Sequence, residues 1–386
     1  MRCLDGLRVV ELSQFLPGPF AAQMLSDLGA EVLKIEPPAG DPLRALGPMD
    51  RDGLSAFYKL VNAGKTVATL DLKTQAGRDS AAGLIARADV LIESFRPGKL
   101  AALGLGQARL ASDNPGLIHC TITNYGQTGP YAQRVGHDIN AMALTGGLAG
   151  SGTAERPVLA NPPTSDYASA LQAVIAILGA VIRRGRDGQG ATLDISLSES
   201  VLAWQAWQLT AARRGKTPPG RARSLLDGGA ACYQIYRTAD GRYVTLGALE
   251  AKFWQAFCIA VGRPDWAERQ QEPLPQEALI AEVAALFESA PLSHWTALLD
   301  QVECCFQAIV EPAELADHPQ ILARGLVTVG ATVDPLVQVA FPAWIDGEPP
   351  APRAALRLAS SEALVGLWRD QKSEPVKWKS KSGNIY

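Results

Sequence analysis

The sequence predicts an α/β protein: a doubly wound parallel-sheet domain carrying most of the chain, with a second, smaller α+β domain. Three observations predict it. Residues 7–35 read strand, turn, helix, strand, which is a βαβ opening. The alternation repeats through residue 122 and returns at 191–197. After Thr217-Pro218-Pro219-Gly220-Arg221 the texture changes to a hairpin followed by helices.

Each element has its own signal. Leu7 to Leu12 is an apolar run interrupted only by Arg8 and Glu11, the pattern of a buried strand. Pro17-Gly18-Pro19 starts a helix with proline in its first turn, and Phe20, Met24, Leu25 and Leu28 follow at helical spacing to Gly29. Glu31 to Ile35 is the next strand. Val67–Leu72, Asp89–Glu93 and Gly116–Ile122 are further strands, with a helix over Gln75–Ala88. Asp166–Arg184 is a long, mostly apolar helix with small residues at Ala168, Ala170, Ala173, Ala176, Gly179 and Ala180, so close packing is expected. Ala191–Leu197 is a strand and Glu199–Arg213 a helix. Ala231–Arg237 and Tyr243–Leu246 flank Ala239-Asp240-Gly241 as a hairpin, and helices are expected near 250–261, 275–288 and 293–301. The domains are placed at 1–221 (large), 222–325 (small) and 326–386, a return to the large domain ending in a basic tail read as solvated.

Composition narrows the function. The 386 residues suggest two to three domains at ~150 residues each. Charged residues make up 19%, below the ~25% of an ordinary globular chain, which suits surface hidden in an oligomer. A net charge of -3 gives no general pull toward nucleic acid. The most apolar stretch, Ala173–Ile182, is half the ~20 residues a membrane span needs, so no membrane role is expected. The first residues hold no apolar signal-peptide core, and six scattered cysteines contain no CxxC. Free thiols and a cytoplasmic location are expected, with Cys304-Cys305 read as core. Four histidines show no HExxH spacing, so no metal site is expected. No GxGxxG follows the first strand, so the dinucleotide fingerprint is absent.

Candidate residues cluster after strands and at helix starts. Arg44 lies in the loop after the second strand, and Ser94-Phe95-Arg96 directly follow another. Loops at that end of a parallel sheet bind ligands, and two arginines there favour an anionic one, although either arginine alone reads equally as solvated. Gly136-His137-Asp138 opens a helical stretch, 141–148. His137 is a candidate acid/base or a structural histidine; Asp138 reads first as the cap of that helix. Asp166, 29 positions on, opens the small-residue helix as a cap or as the second member of an acid/base pair. Glu250 is an ordinary first-turn acid by position.

These residues together resemble the class III CoA-transferases, the carnitine dehydratase-like family that includes α-methylacyl-CoA racemases. The resemblance spans about residues 4–330. It rests on Val10-Glu11-Leu12, Gly18-Pro19, Leu28-Gly29-Ala30-Glu31-Val32, Lys34-Ile35-Glu36-Pro37-Pro38, Gly40-Asp41 and Asn62-Ala63-Gly64-Lys65. Leu70-Asp71-Leu72-Lys73, Ser94-Phe95-Arg96-Pro97-Gly98, Tyr125-Gly126-Gln127-Thr128-Gly129-Pro130 and the Gly136 motif extend it. It implies a Rossmann-like sheet domain, an interlocked homodimer and an acyl-CoA substrate. Coenzyme A then enters as part of the substrate and no further cofactor is required. It also implies CoA contacts at Arg44, Leu70, Asp71, Leu72, Lys73, Ser94, Phe95, Arg96, Gly136 and Asp138.

Gly136-His137-Asp138-Ile139-Asn140 and Gly247-Ala248-Leu249-Glu250 look like the racemase branch, which implies His137, Asp166 and Glu250 as the catalytic set. The implied chemistry is 1,1-proton transfer at the thioester α-carbon. His137 and Asp166 act on opposite faces, Glu250 orients His137, and N–H groups at the Asp166 helix start receive the enolate oxygen. One departure points the other way: Tyr167-Ala168-Ser169-Ala170 replaces the glycine-rich stretch usual after the racemase aspartate. The alternative is CoA transfer to a carboxylic acid through Asp166 as nucleophile. A non-catalytic acyl-CoA binding protein is the third reading, and an intact His137-Asp166-Glu250 set argues against it.

Overall fold

The computed structural model describes residues 2–215, 220–330, 335–360, 364 and 368. The chain falls into two compact units. One comprises 1–144, 162–204 and 319–386, the other 145–161 and 205–318. The sequence placed the divisions at 222 and 325. The basic tail, residues 372–386, lies outside the described residues.

The first unit is built on a seven-stranded sheet. Its strands are β1 (Arg8–Leu12), β2 (Glu31–Glu36), β3 (Thr66–Thr69), β4 (Val90–Glu93), β5 (Ile118–Thr123), β6 (Ala191–Ser196) and a last strand, Arg357–Ala359. The order across the sheet is Arg357–Ala359, β3, β2, β1, β4, β5, β6, and every pairing is parallel. Strand order therefore reverses at β1, and β1–β4 is the switch point where open α/β sheets take ligands. At the sheet's edge the strand Arg357–Ala359 pairs with β3.

The side-chain period of two builds a core on each face. Val9, Val32, Val90 and Ile118 pack with Leu25 and with Ala170, Ala173 and Ile177 of the helix Thr164–Asp187. Val10, Leu33, Leu91 and Leu12 pack on the other face with Ala81, Leu84 and Ile85 of the helix Gln75–Ile85. Helices cover both faces, as an all-parallel sheet requires. By length and composition the helix Thr164–Asp187 could cross a membrane, but half of its apolar window is buried inside the protein. Its alanines let it approach the helix Pro17–Asp27, where Phe20 meets Tyr167 edge-on at 4.9 Å.

The second unit holds an antiparallel sheet of β7 (Tyr233–Arg237), β8 (Tyr243–Gly247) and β9 (Phe306–Ala308). Gly241, at φ 79°, makes the predicted turn. The helices Ala251–Ala260, Glu277–Glu288 and Leu292–Leu299 supply Trp254, Phe257, Phe287 and Trp295 to an aromatic core around Tyr236. Three expectations need correction. The helix at 199–213 is broken by a 3₁₀ turn at Ala203–Gln205, so Trp204 and Trp207 are exposed. Cys304 is buried as expected, but Cys305 turns outward at φ 53°. β9 was not anticipated; it starts directly after that reversal.

Candidate active site

The candidate site of the first unit lies at the carboxyl ends of the parallel strands. The loops after β1 (13–16), β2 (37–44), β3 (70–73), β4 (94–96) and β5 (124–137) all leave from that edge. Across the switch point, the Gln14 N–H reaches Ser94 Oγ at 3.4 Å. Arg44, Leu70 to Lys73, Ser94 to Arg96 and Gly136 to Asp138 thus lie in loops of one sheet edge.

Beneath this edge lies an ion network made of residues that carry the sequence resemblance. Glu11, Lys34 and Lys65 are fully buried. Lys34 Nζ donates to Glu11 Oε1 (3.0 Å), Asp41 Oδ2 (2.9 Å) and the Ser13 carbonyl (2.9 Å). Lys65 Nζ donates to Glu11 Oε2 (2.8 Å), the Pro19 carbonyl (2.7 Å) and Asn62 Oδ1 (3.0 Å). Each ammonium spends its three protons, which is what buried charge demands. Burial pushes Lys65 down to about 8 despite Glu11. Burial would do the same to Lys34, but two carboxylates hold it above its ordinary value. Burial would raise Glu11, and the two ammonium groups outweigh it and hold the carboxyl low. Sequence reading found these positions as motif but not as a network; the signal was two lysines and two acids in otherwise buried segments.

Asp166 sits in the first turn of the helix Thr164–Asp187, half-buried. Burial first, and the Asp138 carboxylate second, push its carboxyl up to about 7. Asp138 departs from expectation. It lies inside the first turn of the helix Asp138–Leu144 rather than capping it, and His137 occupies the cap position, its N–H held by Asn140 Oδ1 at 3.0 Å. The Asp138 carboxylate instead caps the other helix, whose own cap residue, Pro163, offers no side-chain acceptor. Asp138 Oδ1 accepts from Ser165 N (2.6 Å), Ser165 Oγ (2.7 Å) and Asp166 N (3.4 Å). One carboxylate thereby pins the His137 segment to the Asp166 helix start, and it is not free as a CoA ligand on that oxygen. A second correction follows. The Ser165 and Asp166 N–H groups, expected to receive an enolate oxygen, already donate to Asp138.

His137 is exposed. Its carbonyl accepts from Asn124 Nδ2 (3.0 Å), and its ring meets the Phe15 ring edge-on at 5.9 Å and 84°. Gly136 is needed for close approach: a Cβ there would stand 2.9 Å from Asn124 Nδ2 and Tyr125 Oη. Arg44 is held rather than loose. Its Nε donates to Glu36 Oε2 at 2.6 Å, and its guanidinium lies 4.5 Å over the Tyr58 ring. Arg96 and Lys73 are exposed. Leu70 is buried, and Leu72 and Phe95 pack on the core. Asp71 Oδ1 accepts from the Lys73 N–H, fixing that turn. Glu250, in the second unit, is an exposed helix-cap residue whose carboxylate makes no capping bond. Among the described residues no three His, Cys, Asp or Glu side chains gather as a metal site.

Parallel-sheet order, the loop edge and the motif residues together correspond to a known pattern. The model of CoA-transferase family III matches residues 4–356. The chain belongs to this family. It is similar to a probable fatty acyl-CoA transferase, Rv3272, of Mycobacterium tuberculosis, 32% identical over 90% of this chain and 94% of that protein. It is similar also to the human alpha-methylacyl-CoA racemase, 31% identical over 83% of this chain and 81% of the racemase. Among solved structures, a CAIB/BAIF family protein from Brucella suis superposes with a TM-score of 0.80 at 31% identity, over 91% of this chain and 95% of that one. Relatives of both names match this chain, and the chain is an enzyme of the family III CoA-transferase and racemase group.

Proposed function

We propose that this enzyme is an α-methylacyl-CoA racemase. The observation that carries the reading is the Asp138 bridge. It ties the segment that carries His137 to the first turn of the helix that carries Asp166, through the Ser165 N–H and Oγ and the Asp166 N–H. A racemase needs each group to be base toward one epimer and acid toward the other. A carboxyl near 7 populates both forms at neutral pH, which suits that double duty.

In one direction His137 takes the α-proton, and the electron pair of the C–H bond moves onto the thioester oxygen as an enolate. Asp166, protonated, then gives its proton to the opposite face, and the C=C pair forms the new C–H bond. The reverse direction exchanges the roles. The anionic CoA is bound by Arg96 and Lys73 with backbone from 70–73 and 94–96. Glu250 enters this reading from family resemblance only.

CoA transfer is the second reading, favoured by Tyr167-Ala168-Ser169-Ala170 after Asp166 and by the transferase names among the relatives. There Asp166 attacks the thioester carbonyl, CoA leaves as thiolate, and a mixed anhydride forms. That chemistry uses only the ionised carboxylate, which a raised pKa depletes. The test is His137→Ala. Loss of epimer inversion with no hydroxylamine-trappable Asp166 supports the racemase. Retained transfer with trapping at Asp166 overturns it.

A further inference from the structure

Phe15 adopts φ 61°, a left-handed conformation that a bulky L-residue rarely takes. Among the described residues five non-glycine positions have positive φ, and Phe15 is the one in the crevice between β1 and β4. Such a conformation persists only where the surroundings over-determine it. Here they do. The Ser13 carbonyl accepts from Lys34 Nζ at 2.9 Å, the Gln14 N–H donates to Ser94 Oγ at 3.4 Å, and the Phe15 N–H donates to Asp41 Oδ1 at 3.2 Å. Asp41 is itself fixed by Lys34, and its Oδ1 also takes the Leu43 N–H. Leu16 and Pro17 then enter a helix. Three consecutive residues are thus held by buried or crossing groups, and none of these bonds uses the Phe15 side chain.

The held backbone directs the phenyl ring outward, 38% exposed, with its ring against the His137 imidazole. Among the described residues nothing hydrogen-bonds the imidazole nitrogens; the His137 bonds are to its backbone N–H and carbonyl. Its segment is therefore fixed while its ring is steered by packing. We infer that Phe15 is a positioning residue for His137, and that the buried Glu11–Lys34–Asp41 network exists in part to hold Phe15 in that conformation. This rests on the racemase reading and deepens it. The phenyl edge limits rotation of the imidazole, so the ring presents one nitrogen to the α-carbon.

The experiment measures wash-out of the α-proton from each epimer of a 2-methylacyl-CoA in deuterated water. His137→Ala defines the His137-side epimer as the one whose exchange it abolishes. Phe15→Gly takes φ 61° without strain and keeps the three backbone bonds, so the loop stays folded; Phe15→Tyr keeps the aromatic edge. The expected result is at least a tenfold fall for Phe15→Gly on the His137-side epimer, at most threefold on the other, with Phe15→Tyr near wild type. An equal fall on both epimers, or a change in KM alone, overturns the inference and makes Phe15 a wall of the acyl pocket. No fall also overturns it. If the wild type exchanges neither epimer, the racemase reading itself fails and takes this role with it.

Discussion

Replacing Asp138 by asparagine separates its charge from its hydrogen bonds. The asparagine Oδ1 still accepts from Ser165 N and Oγ, now 2.6 and 2.7 Å from the carboxylate oxygen. The negative charge beside Asp166 disappears. Like-charge repulsion of about 1.4 kcal/mol is equivalent to about one pH unit, the order expected from removing one neighbouring carboxylate. Burial is the larger cause of the raised Asp166 carboxyl, and it remains. Asp166 should therefore fall from about 7 toward 6, not to an ordinary carboxylate value. The assay is the pH profile, from 5 to 9, of α-proton exchange on the epimer that uses Asp166 as base. Its rising limb should move about one unit to acid in Asp138→Asn. The thermal midpoint should drop only slightly, since about 0.3–1 kcal/mol of charge–dipole attraction is lost. A limb that stays in place in a folded variant would refute the bridge as the source of the tuning.

Asp166 also links stability to pH. Its folded value, about 7, is raised above the ~3.8 of the unfolded chain, so the native state holds the extra proton between those values. Stability from this group is present below pH ~4 and is lost as pH rises through 7. Urea unfolding should show Asp166→Asn gaining about 2 kcal/mol on the wild type between pH 5 and pH 8, after discounting for partial exposure; an equal difference at both pH values would sink the idea. Arg96→Ala should weaken CoA about tenfold by calorimetry and flatten its salt dependence, whereas unchanged affinity removes Arg96 from the site. Arg44→Ala should cost stability as well, because Glu36, 1% exposed, loses its cation. We propose a homodimer, motivated by the exposed Leu171, Ile175 and Ile182 on one long helix; sedimentation at low micromolar concentration should give about twice the 41.0 kDa chain mass, and a monomer argues against it.

The sheet was legible because each strand announces itself locally. Val9-Val10 and Leu33 with Ile35 alternate or run apolar, and prolines and glycines punctuate them. The break at Ala203–Gln205 was not, since Leu202, Trp204 and Trp207 keep a helical apolar texture through it. The candidate site was legible as residue types at helix starts and strand ends. What joins them was not. The Asp138 to Ser165 bond spans 27 residues and has no period, and a capping aspartate looks the same whichever helix it caps. Phe15 carries no sequence mark of its left-handed backbone, because that conformation is imposed by Lys34 of β2, Asp41 of the loop after it and Ser94 just past the end of β4. Arg44 read as a loop arginine because its partner, Tyr58, lies 14 positions away on another element.

Proton movement by Asp166 and His137, rather than acyl transfer, is what distinguishes the proposed racemase. It is tested most directly by wild-type enzyme in deuterated water with a single-epimer 2-methylacyl-CoA and a free carboxylic acid present. Inversion of the epimer with deuterium at the α-carbon, and no CoA ester of the added acid, is the predicted result. Formation of that new CoA ester with the α-proton retained would contradict it.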